Sequence, residues 1–472
     1  MSERPVDRQT LLDGLPPVPS GALAEAIGAL IRRVDRKVIV LDDDPTGTQT
    51  VHDIPVVTRF SVAHLARELQ NATPASYVLT NSRSFGRDEA VALNREIARN
   101  LRAASAQTGR DFVVISRSDS TLRGHFPAEL ETLQEELGQS FDGWILCPFF
   151  EEGGRLTIGD VHYVAEGEQL IPAAQTPFAA DAAFGYTDSH LHHWVGQKSD
   201  GRIAPEQITS LSIEELRSDD WALLAEKLSG LSAGSVCVVN AACQHDLSSA
   251  VLALLEAEAS GKRFLYRTAA SFVATRAGIG PRPLLAGSDF AGRHGRGILV
   301  VVGSHVPKTT EQLRHLLEAR RPPAYELRVP MLLDDAARPG HIAEVAARVA
   351  DHLAEDATVV VYTSRELAGG AAAASLAIGR QVSQSLVAVV GSLSQPPRAI
   401  VAKGGITASD VATEACRVER ATVMGQMLPG VPVWQCGPES RFPEMPLVVF
   451  PGNVGGTDAL AAALDRLSAA AD

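Results

Sequence analysis

The sequence predicts an α/β protein of two domains, each built on a mostly parallel sheet flanked by helices. Three observations carry this. Short apolar runs alternate with segments whose apolar residues recur at helical spacing. Each run ends in polar residues or glycine, and open parallel sheets bind ligands at that edge. One stretch rich in Gly, Pro and Arg, Gly278 to Gly297, interrupts the pattern, and the alternation restarts cleanly beyond it.

In chain order, a helix is expected over Gly21 to Val34, with Leu23, Ile27, Leu30 and Ile31 on one face. The apolar strand Val38 to Leu41 follows and runs into Asp42-Asp43-Asp44-Pro45-Thr46-Gly47-Thr48. Strand Tyr77 to Thr80 ends in Asn81-Ser82-Arg83-Ser84, and the next helix carries Ala90, Leu93, Ile97 and Leu101. Strand Phe112 to Ser116 ends in Arg117-Ser118-Asp119-Ser120-Thr121-Leu122-Arg123-Gly124, before a helix with Leu130, Leu133 and Leu137. Strand Trp144 to Cys147 precedes Pro148. Residues 151–210 have weak periodicity and read as a long excursion over the pocket. Strand Ser235 to Asn240 and helix Leu247 to Ala259 resume the pattern.

The expected division is an N-terminal domain over 1–285, a linker over 286–297 and a C-terminal domain over 298–472. In the second domain, strand Ile298 to Val302 leads to Gly303-Ser304-His305 and a helix with Leu313, Leu316 and Leu317. A helix with Ile342, Val345, Val349 and Leu353 leads to strand Thr358 to Thr363. Strand Ala399 to Ala402 leads to Lys403-Gly404-Gly405-Ile406-Thr407. Strand Leu447 to Phe450 leads to Pro451-Gly452-Asn453-Val454-Gly455-Gly456-Thr457.

Composition bounds the function. Across 472 residues, 43 Lys and Arg against 56 Asp and Glu leave a net charge of −13, which argues against a nucleic-acid or anionic-membrane surface. The 45% hydrophobic fraction excludes disorder as the main state. No apolar run reaches the roughly 18 residues of a membrane span, and Met1 to Leu15 lacks a signal peptide's apolar core, so a cytoplasmic protein is expected. The cysteines Cys147, Cys237, Cys243, Cys416 and Cys436 form no CxxC pair and read as reduced thiols. The histidines of Asp188-Ser189-His190-Leu191-His192-His193 are adjacent and lack a convincing third ligand, so a surface loop is the simpler reading.

Two groups of residues carry candidate chemistry. Three strand ends of the second domain pair glycine with Ser, Thr or Asn, which lets backbone N–H groups approach phosphate oxygens closely. The plain alternative is that glycine merely turns the chain. Neither a Walker A sequence nor a GxGxxG after a strand occurs, which weighs against a nicotinamide-dependent oxidoreductase. In the first domain, Asp42, Asp43 and Asp44 repel one another unless a metal or other cation neutralises them. One carboxylate could accept a hydroxyl proton and another could help hold Mg2+. Arg83, Arg117 and Arg123, on neighbouring strand ends, suit an acidic substrate through bidentate contacts, or else pair internally with Asp119 or the aspartate triplet.

These residues resemble the four-carbon acid sugar kinase family. Val40-Leu41-Asp42-Asp43-Asp44-Pro45-Thr46-Gly47-Thr48 is similar to its Ala-Asp-Asp-x-Thr-Gly-Ala signature, and Asp119-Ser120-Thr121-Leu122-Arg123-Gly124 matches its second signature letter for letter. Gly154-Arg155-Leu156-Thr157-Ile158-Gly159 and Thr176-Pro177-Phe178-Ala179-Ala180-Asp181 resemble its middle region. Gly303-Ser304 with Thr309 and Gln312, Lys403-Gly404-Gly405-Ile406-Thr407, and Gly452-Asn453-Val454-Gly455 resemble its nucleotide motifs. Lys403-Gly404-Gly405-Ile406-Thr407 is set against Thr-Gly-Gly-x-Thr, Thr48 stands where the first signature has Ala, Pro45 where an apolar residue is usual, Val306 where the nucleotide motif has a second Ser, and Pro451 where Ser precedes Gly-Asn.

The resemblance implies an ATP- and Mg2+-dependent kinase for threonate, erythronate or their oxo forms, with the active site in the cleft between the domains. Asp43 and Asp44 would be catalytic, and Thr46, Gly47, Ser82, Arg83, Arg117, Asp119, Ser120 and Arg123 would bind the acid sugar. Ser304, Lys403, Gly404, Gly405, Ile406, Thr407, Gly452, Asn453 and Gly455 would bind ATP. No metal ligand is assigned, and the reading leaves room for a homodimer. The rival reading is a non-catalytic sensor of a sugar acid or nucleotide built on the same cleft.

Overall fold

The computed structural model describes residues 4–218, 220–292, 294–365 and 372–468. The chain divides into two units, Met1–Val51 with Phe60–Pro281, and His52–Arg59 with Arg282–Asp472. Arg293, inside the expected linker, lies outside the described residues.

The first unit is organised by a parallel sheet. Its strands run in the order Ile208–Leu211, Val236–Val239, Gly143–Cys147, Phe264–Thr268, Phe112–Arg117, Lys37–Asp42, Ala75–Leu79. Strands such as Lys37–Asp42 and Phe112–Arg117 are buried along their whole length. They therefore read as continuous Val, Ile and Leu rather than alternating with polar residues, because both faces of the sheet are covered. The helices form two groups. Ala24–Val34 packs on Gln244–Ala259, and Val62–Gln70 packs on Arg87–Thr108, which packs on Ala128–Glu136. Helix Arg87–Thr108 buries Ala90, Asn94, Ile97, Ala98, Leu101 and Ala104 at three- and four-residue spacing, and Gly109 ends it with a φ of 69°.

The sheet register sets the position of the functional residues. Asp42 lies opposite Leu79 on one side and Arg117 on the other, Arg117 lies opposite Thr268, and Thr268 opposite Cys147. The C-terminal ends of five strands thus form one level rim.

Residues 151–210 are more ordered than their weak periodicity suggests. They contain the antiparallel strands Arg155–Ile158, Val161–Glu166 and Gln169–Pro172, joined at the edge by Val6–Asp7. The strands are short and joined by tight turns, so no window is long enough to show a period. Strand Phe264–Thr268, central among these strands, was not among the expected ones.

The strands of the second unit run in the order Ile54–Val57, Arg420–Leu428, Val431–Cys436, Pro446–Phe450, Ala399–Lys403, Ile298–Val302, Thr358–Thr363, Ala324–Leu327. The last five strands are parallel, and the first three add on antiparallel. Phe450, Lys403, Val302 and Tyr362 stand in register at the C-terminal rim. Val300, Val401, Val448 and Phe450 are fully buried in the core beneath helices Pro307–Arg320 and Ala459–Ser468.

Ile39 is fully buried in the middle of the Lys37–Asp42 strand. Ile39→Ala is expected to destabilise the protein by about 2–5 kcal/mol, the usual range for a core truncation, measured by chemical denaturation.

Candidate active site

The rim of the first unit carries a compact network of charge. Asp42, the last residue of its strand, is buried and pairs with Arg117, whose Nη1 lies 3.0 Å from Asp42 Oδ1 and 3.4 Å from Asp43 Oδ1. Arg83 reaches in from the 3-10 turn Ser82–Ser84. Its Nε lies 3.1 Å from Asp43 Oδ2, one Nη 2.8 Å from Asp44 Oδ2, and the other 3.3 Å from Asp119 Oδ1. Arg123 Nε lies 2.8 Å from Asp119 Oδ2, and its Nη1 3.7 Å from Asp181.

The aspartate triplet is therefore neutralised by two guanidinium groups. The three arginines expected to grip a substrate carboxylate are each already paired with aspartates, and Arg117 is buried behind Asp42. Among the described residues no three His, Cys, Asp or Glu side chains converge as a metal site. The triplet's carboxylates face guanidinium groups, so these side chains do not fit a resident Mg2+.

The triplet's three members differ. Burial pushes Asp42 up to about 7 and Asp43 up to about 6, with the arginines opposing that rise. Burial acts on Asp44 too, but Arg83 and two bonds from Thr46 outweigh it and hold its carboxyl below the usual range. Asp44 is also the cap of the turn Pro45–Thr48, accepting the Thr46 N–H at 2.8 Å. Asp43 Oδ2 is buried, close to Arg83 yet without an aligned hydrogen bond. For Asp119 the pull of Arg123 and Arg83 exceeds the effect of burial and holds the acid far below its ordinary value.

Gly47 is needed for close approach. A Cβ there would stand 2.2 Å from Asp42 Oδ1 and 2.6 Å from Arg117 Cζ. Thr46 and Gly47 thus form a lid on the Asp42–Arg117 pair rather than an open surface, both being buried. Ser82 is turned inward as well, its hydroxyl donating to Glu129 Oε1 at 2.6 Å.

The loop Asp119–Gly124 is fixed from the middle segment. Buried His162 donates from Nε2 to the Ser120 carbonyl at 2.8 Å, and Tyr186 donates to the Thr121 carbonyl at 2.8 Å. Burial pulls the His162 imidazole down to about 4, so it stays neutral and keeps that donor.

Arg267, which supports the rim, was not expected at the site, and Arg155 fell only within a motif and was given no role. Arg267 lies 3.2 Å from Glu129, donates to the Ser118 hydroxyl and bonds the Arg123 carbonyl at 3.0 Å. Its strand, Phe-Leu-Tyr-Arg-Thr, is a short apolar run after a helix, and the alternation pattern was the signal that could have found it. Arg155 lies in the middle segment beside Phe178, and its flanking glycines were its signal.

In the second unit the three glycine loops pack directly on one another. A Cβ at Gly303 would meet Thr407 Oγ1 at 2.2 Å, and one at Gly404, whose φ is 115°, would meet Ser304 Cβ at 2.8 Å. Thr309 donates to the Gly452 carbonyl at 3.0 Å, and Gln312 donates to the carbonyls of Val454 and Gly456 at 3.0 and 2.8 Å. Arg365 Nη1 donates to the Ser304 carbonyl at 2.6 Å. Ile406, Asn453 and Gly455 are exposed at this rim. Lys403 is not. Its side chain is fully buried, its ammonium donates to the Pro451 carbonyl at 2.6 Å, and it stands 3.8 Å from the Phe450 ring centroid. Burial, with nearby Lys308, pulls it down to about 7. It ties two strand ends together where a ligand contact was expected.

A rim of paired aspartates and arginines in one unit and a rim of packed glycine loops in the other define a two-domain protein of the α/β class. The comparisons agree: residues 38–276 match a sugar-binding N-terminal domain, and residues 299–460 match a nucleotide-binding C-terminal domain. The chain belongs to the four-carbon acid sugar kinase family. It is 25% identical over 449 residues to the D-erythronate kinase of Heliobacterium modesticaldum, covering 91% of this chain and 97% of that protein. It is 26% identical over 451 residues to the 3-oxo-tetronate kinase of Methylobacterium radiotolerans, covering 90% and 98%. A 119-residue match at 32% identity to the D-threonate kinase of Bordetella bronchiseptica covers 25% and 27%. The fold is shared with a Salmonella typhimurium LT2 structure described as a putative tRNA synthase, at a TM-score of 0.66, 17% identity and coverage of 90% and 98%. It is also shared with a Haemophilus influenzae DUF1537 protein, at 0.58, 18% identity and coverage of 91% and 100%. No described helix is long and apolar enough to cross a membrane.

Gly47→Ala is expected to force Asp42 and Arg117 apart and to destabilise the fold by about 3 kcal/mol or more, the scale for breaking a buried pair. Thermal and chemical unfolding would check this, and an unchanged midpoint would contradict the close approach.

Proposed function

We propose that the protein is an ATP-dependent kinase that phosphorylates a terminal hydroxyl of a four-carbon acid sugar of the threonate, erythronate or oxo-tetronate type. The named relatives support the reaction class. The observation that carries the chemistry is Asp43: a buried carboxyl at the rim of the sugar-binding domain, raised to about 6, with one oxygen lacking an aligned donor. A base with a pKa near the working pH is suited to taking a hydroxyl proton as that oxygen attacks phosphorus.

In this reading the sugar hydroxyl gives its proton to Asp43 while its oxygen bonds to the γ-phosphorus, and the bond from that phosphorus to ADP breaks. Asp44 is the poorer base, since Arg83 and Thr46 already stabilise its charge. Its role is to fix the turn and orient Arg83. Arg83 and Arg123 stay partly exposed and hold Asp43, Asp44 and Asp119 in place, while Arg117 stands behind and holds Asp42. Ser304, Gly404, Gly405, Thr407 and Gly455 would hold the triphosphate, near the start of helix Pro307–Arg320. Phosphoryl transfer is mainly positioning and charge stabilisation, so the reaction requires that the γ-phosphate on one domain reach the hydroxyl on the other.

A coupled ADP-release screen against four- and five-carbon sugar acids tests the activity. Turnover with one four-carbon acid is expected, whereas binding of acid or nucleotide without transfer would mark a sensor. The rate is expected to fall about tenfold per pH unit below about 6, because protonated Asp43 cannot accept the hydroxyl proton. Asp43→Asn should abolish that acid limb and lower kcat by about 100-fold or more. A variant with near wild-type kcat and the same pH profile would remove Asp43 from the base role.

A further inference from the structure

The arginines nearest the aspartate triplet are all matched by carboxylates, which leaves open what receives the negative end of an acidic substrate. Arg155 differs from them. It begins the strand Arg155–Ile158, is partly buried, and has no carboxylate within ion-pair distance among the described residues. Its Nη1 donates to the Gly153 carbonyl, and its guanidinium stands 5.8 Å from the Phe178 ring centroid. Its Nε is buried with no hydrogen-bond partner. A buried donor left unmatched is costly, and a bound acceptor would remove that cost.

The surroundings add to this. Arg123 stands over the same Phe178 ring, at 5.1 Å, so two guanidinium groups share one aromatic ring. Arg123 is balanced by Asp119 and Asp181, and Arg155 is not. Asp119 and Glu166 act on Arg155 only from a distance, and Arg123 opposes them. Burial outweighs their help and lowers the guanidinium's proton affinity. One positive charge is therefore held in place by a carbonyl and a ring, with its Nε edge unmatched. Asp119 bridges Arg123 to Arg83, which contacts Asp43 and Asp44, so this edge belongs to the same chain of contacts as the proposed base.

We propose that Arg155 is the carboxylate receptor of the site, its Nε and Nη2 edge taking the acid group of a four-carbon hydroxy acid in a bidentate contact. This fits the planar fork of a guanidinium and the geometry of a carboxylate. The assignment rests on the kinase reading above. It makes Arg155 the residue that distinguishes an acid sugar from its neutral counterpart.

The test uses the full-length protein, D-erythronate and D-threonate as acids, and the corresponding carboxamides as uncharged analogues. Acid binding is followed by calorimetry without nucleotide, and turnover by ADP release. Arg155→Gln is expected to weaken acid binding and raise the acid KM by about 10- to 100-fold, the range for a charge-assisted contact. Carboxamide binding and the KM for ATP should stay unchanged. Arg155→Lys should recover part of the acid affinity, and covers the case in which the glutamine variant fails to fold. An acid KM within twofold of wild type in Arg155→Gln, or equal losses for acid and carboxamide in either variant, would overturn the assignment while leaving the kinase reading intact. A wild-type protein that binds the acids but transfers phosphate to none would instead overturn the kinase reading, and the calorimetric comparison would still decide Arg155.

Discussion

The constraint on which the rest depends is the burial of acidic charge at the end of a parallel strand. Asp42 and Asp43 sit where water is largely excluded, and isolated carboxylates there would be neutralised or would unfold the rim. Arg117 and Arg83, arriving from the two neighbouring strands, make the arrangement tenable. Parallel register delivers them: Asp42 and Arg117 are opposite one another because Lys37–Asp42 and Phe112–Arg117 end level. The sheet therefore positions chemistry as well as providing a core. Residues that look like ligand contacts in the sequence, Gly47, Ser82 and Arg117 among them, maintain this charge arrangement.

A comparable economy governs the second unit. Its glycine loops are close because Thr407 and Ser304 fill the space that side chains at Gly303 and Gly404 would need. Gln312 and Thr309 then tie helix Pro307–Arg320 to the third loop through its carbonyls. Lys403 and Pro451, which depart together from the pattern this chain resembles, contact each other directly. The ammonium bonds the proline's carbonyl, so the two departures describe a single local solution.

Much of this was legible beforehand. The run of Val and Ile in Lys37–Asp42 and in Ile298–Val302, followed at once by Asp or Gly, identified both sheets and the edges that matter. What the sequence could not show was pairing. Three arginines after two strands leave ligand contact and internal pairing equally open, and only the folded arrangement shows that each already has an aspartate partner. Arg155 stood inside a motif yet received no role, since it lies in short antiparallel strands whose periodicity is too brief to read. Lys403 illustrates a third limit: a lysine beside two glycines suggests a phosphate contact, and only the position of Pro451 and Phe450 turns it inward.

The small strand Ile54–Val57 has a bearing on how such a chain can be made and divided. It emerges early in synthesis but pairs with Arg420–Leu428, near the far end. Until the ribosome has delivered that partner, its backbone amides and carbonyls stand open, an edge that invites association with other nascent chains. A gene cut at the boundary between the halves would leave one fragment with an orphaned strand and the other with a missing one. The two units are thus separate in architecture yet interleaved in the order of translation.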